Sequence, residues 1–197
     1  MNDIWAIILA AGESRRMGMP KMLLPFDGST MIETVIRNVT HSKVSKILVV
    51  LGAEKDAICD KIAKLNLTCC YNKKYKEGML SSVKCGFRNL PSDFKAAMVF
   101  QGDQPLIEAN VINTVTETYL SSENGIVIPV YYGKRGHPIL IDRKYRKEVE
   151  KLSPDIGLRE LTIRFCDDVL EANTEEPGIL KDFDTYKEYL EATNQIQ

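Results

Sequence analysis

Eight consecutive apolar residues, Ile4-Trp5-Ala6-Ile7-Ile8-Leu9-Ala10-Ala11, run directly into Gly12 and then into a polar, basic stretch carrying Ser14, Arg15, Arg16, Gly18 and Lys21. The run is too short to span a bilayer as a helix, and its isoleucine content suits a strand buried on both faces of a parallel sheet. Such a strand needs helices above and below it. Where it ends, glycines let backbone amides approach a ligand closely and three cations can face phosphate oxygens. The spacing matches neither Gly-x-Gly-x-x-Gly nor Gly-x-x-x-x-Gly-Lys-[Ser/Thr], so a phosphate loop here is of another kind. A plain strand-to-helix turn with basic residues is the competing interpretation.

The same alternation continues downstream. Met22 to Phe26 is apolar, Asp27-Gly28-Ser29 is a turn, and a helix is predicted from about Thr30 to Val39, with Thr30 and Glu33 at capping-box spacing. Lys46 to Leu51 is a second buried strand, Glu54 to Lys64 a helix, and Leu67 to Tyr71 a third strand followed by a lysine-rich loop. Ser81 and Ser82, just after Gly78, stand near a helix start, where hydroxyls either cap the helix or meet a ligand. Ala96 to Phe100 is the next strand; it ends in Gln101-Gly-Asp-Gln-Pro105, which puts Asp103 where α/β sheets bind ligands, beyond the carboxyl end of a strand. A helix over Glu108 to Ser121, a strand over Ile126 to Tyr131, a basic turn at Tyr132 to Gly136 and an apolar segment from His137 to Ile141 follow. Arg143 to Leu152 is helical, another helix opens near Pro154, Val169 to Ala172 is a short last strand, and a helix closes the chain. Just before it, Asp182 and Asp184 share a side if extended, although Asp184 equally suits a helix N-cap. These alternations predict a single domain over 1–197, a three-layer α/β/α sandwich on a mostly parallel sheet.

A formal net charge of −1 over 197 residues gives no long-range attraction to nucleic acid or anionic membrane, so any cationic site is local. Asp3 precedes the apolar run and charges close it, unlike a secretory signal, and a cytoplasmic location is expected. The five cysteines, Cys59, Cys69, Cys70, Cys85 and Cys166, lack Cys-x-x-Cys spacing and indicate reduced thiols, with neither a disulfide framework nor structural zinc.

Residues 9–21, Leu-Ala-Ala-Gly-x-Ser-x-Arg-Met-Gly-x-x-Lys, closely resemble the signature loop of the MobA-like nucleotidyltransferases. Gly78-Met-x-x-Ser resembles that family's second nucleotide-contacting segment, Gly102-Asp-x-Pro its metal-binding turn, and Gly133-x-x-Gly-His-Pro the part that receives the second substrate. Asp182-x-Asp-Thr resembles its late acidic motif, with Tyr186 where the family has proline. Asp155, Gly157 and Arg159 resemble a weaker family pattern. The resemblance implies a Rossmann-like nucleotidyltransferase fold with one late antiparallel strand. It implies nucleotide contacts from Leu9, Ala10, Ala11, Gly12, Ser14, Arg15, Gly78, Ser81 and Ser82, and acceptor contacts from Gln104, Pro105, Gly136, His137 and Pro138. Arg16, Lys21 and Asp103 would be catalytic, and Asp103 with Asp184 would hold Mg²⁺.

Within the family, Ala-Ala-Gly at 10–12 and Gly-His-Pro at 136–138 resemble the branch that transfers a cytidylyl group from CTP to the phosphate of molybdopterin. Guanylyl-transferring relatives more often carry Ala-Gly-Gly. The alternatives are a guanylyltransferase of the same cofactor, a transferase acting on a sugar phosphate or alcohol phosphate, and a non-catalytic cofactor-binding module. Expected partners are the NTP, a phosphate-bearing acceptor, and a molybdoenzyme or its chaperone as recipient; nucleic acid and membrane are not expected.

Overall fold

The computed structural model describes residues 3–44 and 46–193. Its strands are β1 (Ile4–Ala10), β2 (Pro25–Phe26), β3 (Ser29–Thr30), β4 (Lys46–Leu51), β5 (Thr68–Tyr71), β6 (Ala96–Gln101), β7 (Ile126–Tyr131), β8 (Lys134–Arg135), β9 (Ile139–Asp142) and β10 (Val169–Asn173). Its α-helices are α1 (Met31–Thr40), α2 (Lys55–Ile62), α3 (Met79–Asn89), α4 (Ala109–Leu120), α5 (Arg146–Lys151), α6 (Arg159–Arg164) and α7 (Tyr186–Thr193). The main sheet has the order β10-β7-β9-β6-β1-β4-β5, with β8 paired to β7.

β1 occupies the interior of that sheet, parallel to β4 on one side and β6 on the other. Because successive side chains of a strand face opposite ways, its apolar run divides between two cores. Ala6, Ile8 and Ala10 join one core with Ile32, Val35 and Ile36 of α1, Ile58 of α2 and Ile112 of α4. Ile7 and Leu9 join the other with Val83 and Phe87 of α3, Val149 of α5 and Leu161 of α6. Ile7 and Ile8 are wholly buried, and each contributes about 1.5–3 kcal/mol relative to exposure. This is the expected three-layer sandwich.

α3 comes unusually close to β1: a Cβ on Gly86 would stand 2.6 Å from Ile7 Cγ2. α1 begins where its sequence signal puts it, with Thr30 accepting from Glu33 N at 3.4 Å and Glu33 accepting from Thr30 N at 3.0 Å. Asp27 and Gly28, both at positive φ, turn the short β2–β3 hairpin. This hairpin extends what reads in sequence as a turn. A small cluster of Met17, Phe26, Met31, Phe183 and Tyr189 then fastens the C-terminal segment over the N-terminal loop.

Besides the two-residue β8, which runs antiparallel to β7, the sheet holds one reversed strand, β9, inserted between β6 and β7 and antiparallel to both. Its start therefore lies at the same edge as the carboxyl ends of its neighbours. The basic turn is tighter than expected, since Lys134–Arg135 pairs back onto β7 as β8. Among the described residues no helix is long and apolar enough to cross a membrane.

Candidate active site

From β1 the chain winds outward through β4 and β5, then returns to place β6 on the opposite side of β1. A crevice opens at such a reversal, beyond the strand ends. The loops that leave it are bound to one another: Gly102 N donates to Leu9 O at 3.0 Å and Ala53 N to Ala11 O at 3.2 Å. Gly52 permits the second contact, since a Cβ there would lie 2.3 Å from Ala11 O.

The loop after β1 folds around Ser14. Its carbonyl accepts from Met17 N at 3.0 Å and Gly18 N at 3.1 Å, while its Oγ accepts from Lys21 N at 3.2 Å. Ser14 thus shapes the loop and delivers Lys21. The three cations part company here. Lys21 turns inward, its side chain only 13% exposed, and its ammonium pairs with Asp103 and, at 3.5 Å, with Asp184. Arg16 Nη1 lies 2.7 Å from the other oxygen of Asp184 but is otherwise open to solvent. Arg15 pairs with Glu13 at 2.7 Å on the outside of the loop. Arg15, expected to face phosphate, points elsewhere in this structure because its own neighbour offers the nearer charge.

Asp184 is available because another residue caps α7. Glu188 N donates to Thr185 Oγ1 at 3.2 Å, and Thr185 N donates to the Glu188 carboxylate at 2.8 Å. This Thr185–Glu188 capping box starts the helix without the proline that the family pattern has at Tyr186, and it removes the N-cap alternative for Asp184. Asp182 lies beside the cluster, and its carboxyl is held above the usual range by desolvation and by the charges of Asp184 and Asp103. Segments around positions 21, 103 and 184 thereby meet in one acidic and cationic cluster.

Beside it is a narrow cleft of about 210 Å³, lined among others by Leu9, Ala11, Gly12, Lys21, Ser82 and Asp103. Ala10 does not reach it, being buried in the core on the opposite face of β1. Ser82 is buried and lines the cleft. Ser81 donates instead to the carbonyls of Lys74 and Gly78, each at 2.8 Å. Asn72, wholly within the protein, holds both serines through its amide, at 2.8 Å to Ser81 Oγ and 3.0 Å to Ser82 Oγ. Gly78, at φ +96°, makes the sharp entry into α3. Tyr75, Met79 and Gln101 complete the wall. Met79 belongs to the Gly78-Met-x-x-Ser motif, but sequence reasoning singled out neither Tyr75, Gln101 nor Asn72 as a site residue, and Asn72 gives a signal only in retrospect, as a polar residue directly after a strand.

His137 stands at the start of the antiparallel strand, so its ring reaches the same edge. Gln101 Nε2 lies 3.3 Å from its ring nitrogens, and burial pushes its pKa down against an opposing pull from Asp103. Gly136 lets the tail pass closely, since a Cβ there would stand 2.4 Å from Ile179 O; His137 N donates to that oxygen at 3.0 Å. On the far side of His137 is a second cavity of about 540 Å³, walled by Ile128, Ile139, Leu158 and Ile163 and bearing Arg135 and Arg159. Gly136 and His137 line it, whereas Pro138 is buried behind them. Gln104 and Pro105, expected to contact an acceptor, do not line this cavity. Both are buried, and the Pro105 carbonyl accepts from Asn38 Nδ2 at 2.9 Å. Another cavity, about 610 Å³, lies across the Tyr132–Gly133 turn; no lysine or arginine lines it, and it offers phosphate no counter-charge.

The molybdenum cofactor cytidylyltransferase of Escherichia coli (strain K12) is 27% identical over 193 residues, covering 98% of this chain and 96% of the relative. The nicotine blue oxidoreductase of Paenarthrobacter nicotinovorans is also 27% identical, over 94% of each chain. In fold, the chain is similar to Rv0371c of Mycobacterium tuberculosis H37Rv, with a TM-score of 0.87, 21% identity and 98% of both chains covered; a manganese complex of Rv0371c gives a TM-score of 0.83, at 20% identity with 98% of both chains covered. The MobA-like NTP transferase domain matches residues 6–169, through the glycine loop, the Gly78 segment, Asp103 and His137, and the chain belongs to that family of nucleotidyltransferases.

Proposed function

We propose that this chain transfers a cytidylyl group from CTP to the phosphate of molybdopterin, releasing pyrophosphate. The observation that carries the reading is the meeting of Lys21, Asp103 and Asp184 at the crevice between β1 and β6, beside a glycine loop. In the reaction an acceptor phosphate oxygen bonds to the α-phosphorus while the bond from that phosphorus to the bridging oxygen of the β-phosphate breaks. A phosphate nucleophile is already ionised near neutral pH, so positioning and charge neutralisation supply the catalysis.

Lys21 and Arg16 are the cations that can move from carboxylate to phosphate oxygens when a triphosphate enters. Gly12 presents backbone to the cleft with nothing within 4 Å of where its Cβ would be, leaving room for phosphate. The Gly78–Ser82 segment forms the opposite wall, suited to base and ribose. The donor set is all carboxylate oxygen, which fits a hard divalent ion such as Mg²⁺ or Mn²⁺, and Lys21 standing between Asp103 and Asp184 already marks the position as one that needs positive charge. When bound there, the ion supplies charge neutralisation at the transferring phosphate. His137, kept neutral by burial, and the apolar cavity with Arg135 and Arg159 suit a flat, anionic acceptor.

Ala11 lines the cleft where guanylyl-transferring relatives more often have glycine, which favours the smaller pyrimidine, and the named activity of the E. coli relative agrees. The test is pyrophosphate release with CTP, GTP, ATP or UTP, in Mg²⁺ with molybdenum-loaded molybdopterin, comparing wild type with Asp103→Ala. CTP-selective release, lost in the variant, is expected. GTP preference would overturn the choice of base, and release unaffected by Asp103→Ala would overturn the site.

A further inference from the structure

We propose that Cys70 and Cys85 form a redox-sensitive dithiol that closes, as a disulfide, around the segment lining the nucleotide cleft. Their sulfurs are 3.8 Å apart, Cys70 on β5 and Cys85 on α3. β5 is the outermost strand of the sheet, and both cysteines are half-buried, so a small oxidant can reach them from the open edge. Cys69 cannot compete for Cys85: adjacent residues of a strand face opposite sides, and the Cys69 thiol neighbours Cys59 of α2 across the other face. A buried thiol pair also serves as simple packing. What sets this one apart is the chain it encloses.

Between the two cysteines run residues 71–84, which contain Tyr75, Gly78, Met79 and Ser82 of the cleft wall and Asn72, the residue that holds the two serines. The ends of this segment are held by β5 and by α3. A bond between them ties both ends close to the arrangement already observed, since the sulfurs, 3.8 Å apart, have only to close to about 2.05 Å. Chemically, a low-molecular-weight disulfide such as glutathione disulfide is attacked by one thiolate, giving a mixed disulfide and one free glutathione. The second thiolate then displaces the other glutathione. One protein S–S bond forms, the oxidant's S–S bond breaks, and two electrons and two protons pass to the two released thiols. The enclosed wall is thereby pre-ordered, and pre-ordering tightens binding by reducing the ordering cost. The consequence for nucleotide rests on the function proposed above; the bond itself does not.

The test treats the folded full-length protein with glutathione disulfide and maps it by tryptic digestion. A peptide of residues 65–73 linked to one of residues 85–88 is expected in wild type and in Cys69→Ser, and in neither Cys70→Ser nor Cys85→Ser. Amide hydrogen exchange in 71–84 slows on oxidation of wild type, and Mg·CTP binds the oxidised form roughly threefold or more tightly. Recovery of Cys70 and Cys85 unlinked, with glutathione only on Cys69 or Cys166, overturns the proposal. So does a linked protein whose exchange in 71–84 is unchanged. If the reduced protein fails to bind Mg·CTP while the linkage and the slowed exchange appear, the nucleotide reading fails and the clamp stands.

Discussion

Replacing Lys21 with methionine separates its two roles. The Lys21 side chain is 13% exposed and that of Asp103 only 8%, so the pair is largely withdrawn from water, and Asp184 at 28% adds a second carboxylate to the same cation. Methionine keeps the length of the side chain and deletes the charge. Asp184 retains Arg16 at 2.7 Å, but Asp103 is left without its ion-pair partner. Breaking a buried pair from one side costs 3–5 kcal/mol; with Arg16 near and the cleft open, the lower bound of about 3 kcal/mol is expected, a fall in Tm of roughly 6–12 °C. The unneutralised carboxylates should then attract a divalent cation more strongly than in wild type. Ligand linkage returns about 2.7 kcal/mol at one hundred times Kd, so Mg²⁺ or Mn²⁺ should recover most of the loss in the variant and stabilise wild type much less. Activity should not recover with stability, because the cation proposed to meet phosphate is gone; a fall of about 10²–10³-fold in kcat is the scale for one transition-state donor. Thermal unfolding with and without added metal, alongside pyrophosphate release, measures all three effects. If Lys21→Met melts within a degree or two of wild type and responds equally to metal, then Lys21 does not neutralise Asp103, and the account of the cluster is wrong.

Gly52→Ala should act on the loop after β1 from outside it: with the new Cβ 2.3 Å from the backbone of Ala11 the loop must shift, costing about 1–3 kcal/mol in urea unfolding and, on the proposed function, raising the KM for NTP. An unchanged KM would show that the position of Ala11 does not matter to binding. Thr30→Ala should lose about 1 kcal/mol through the N-cap of α1. Hydrogen bonds from Thr30 hold the Glu33 carboxyl below its ordinary value. The contribution of Glu33 is therefore fully present above the unfolded value of 4.5 and disappears as pH falls through the lower folded value. Accordingly the stability difference between wild type and Thr30→Ala should narrow in acid, and a pH-independent difference would refute that assignment.

How far the site was legible depended on whether its residues act through local sequence or through distant neighbours. The run Ile4 to Ala10 announced a doubly buried strand, and Thr30 with Glu33 announced a helix start, because both signals are written within a few residues. Asp103 was legible for the same reason, as the acidic residue immediately after an apolar strand. The pairing of Arg15 with Glu13 was not, since it depends on how the loop after β1 folds and not on the residue types alone. Nor was the burial of Gln104 and Pro105, which depends on how the turn after β6 packs beneath Asn38. The position of His137 shows the limit most clearly. Periodicity makes its segment a strand but gives no direction, and in a wholly parallel sheet the start of that strand would face the end opposite Asp103. Because β9 runs antiparallel between β6 and β7, its first residues instead arrive where β6 ends, and Gln101 meets His137 at 3.3 Å. One reversed strand thus joins the cleft beside Asp103 to the cavity that bears Arg135 and Arg159. A sheet with that strand reversed again would keep the cleft beside Asp103 and separate it from that cavity.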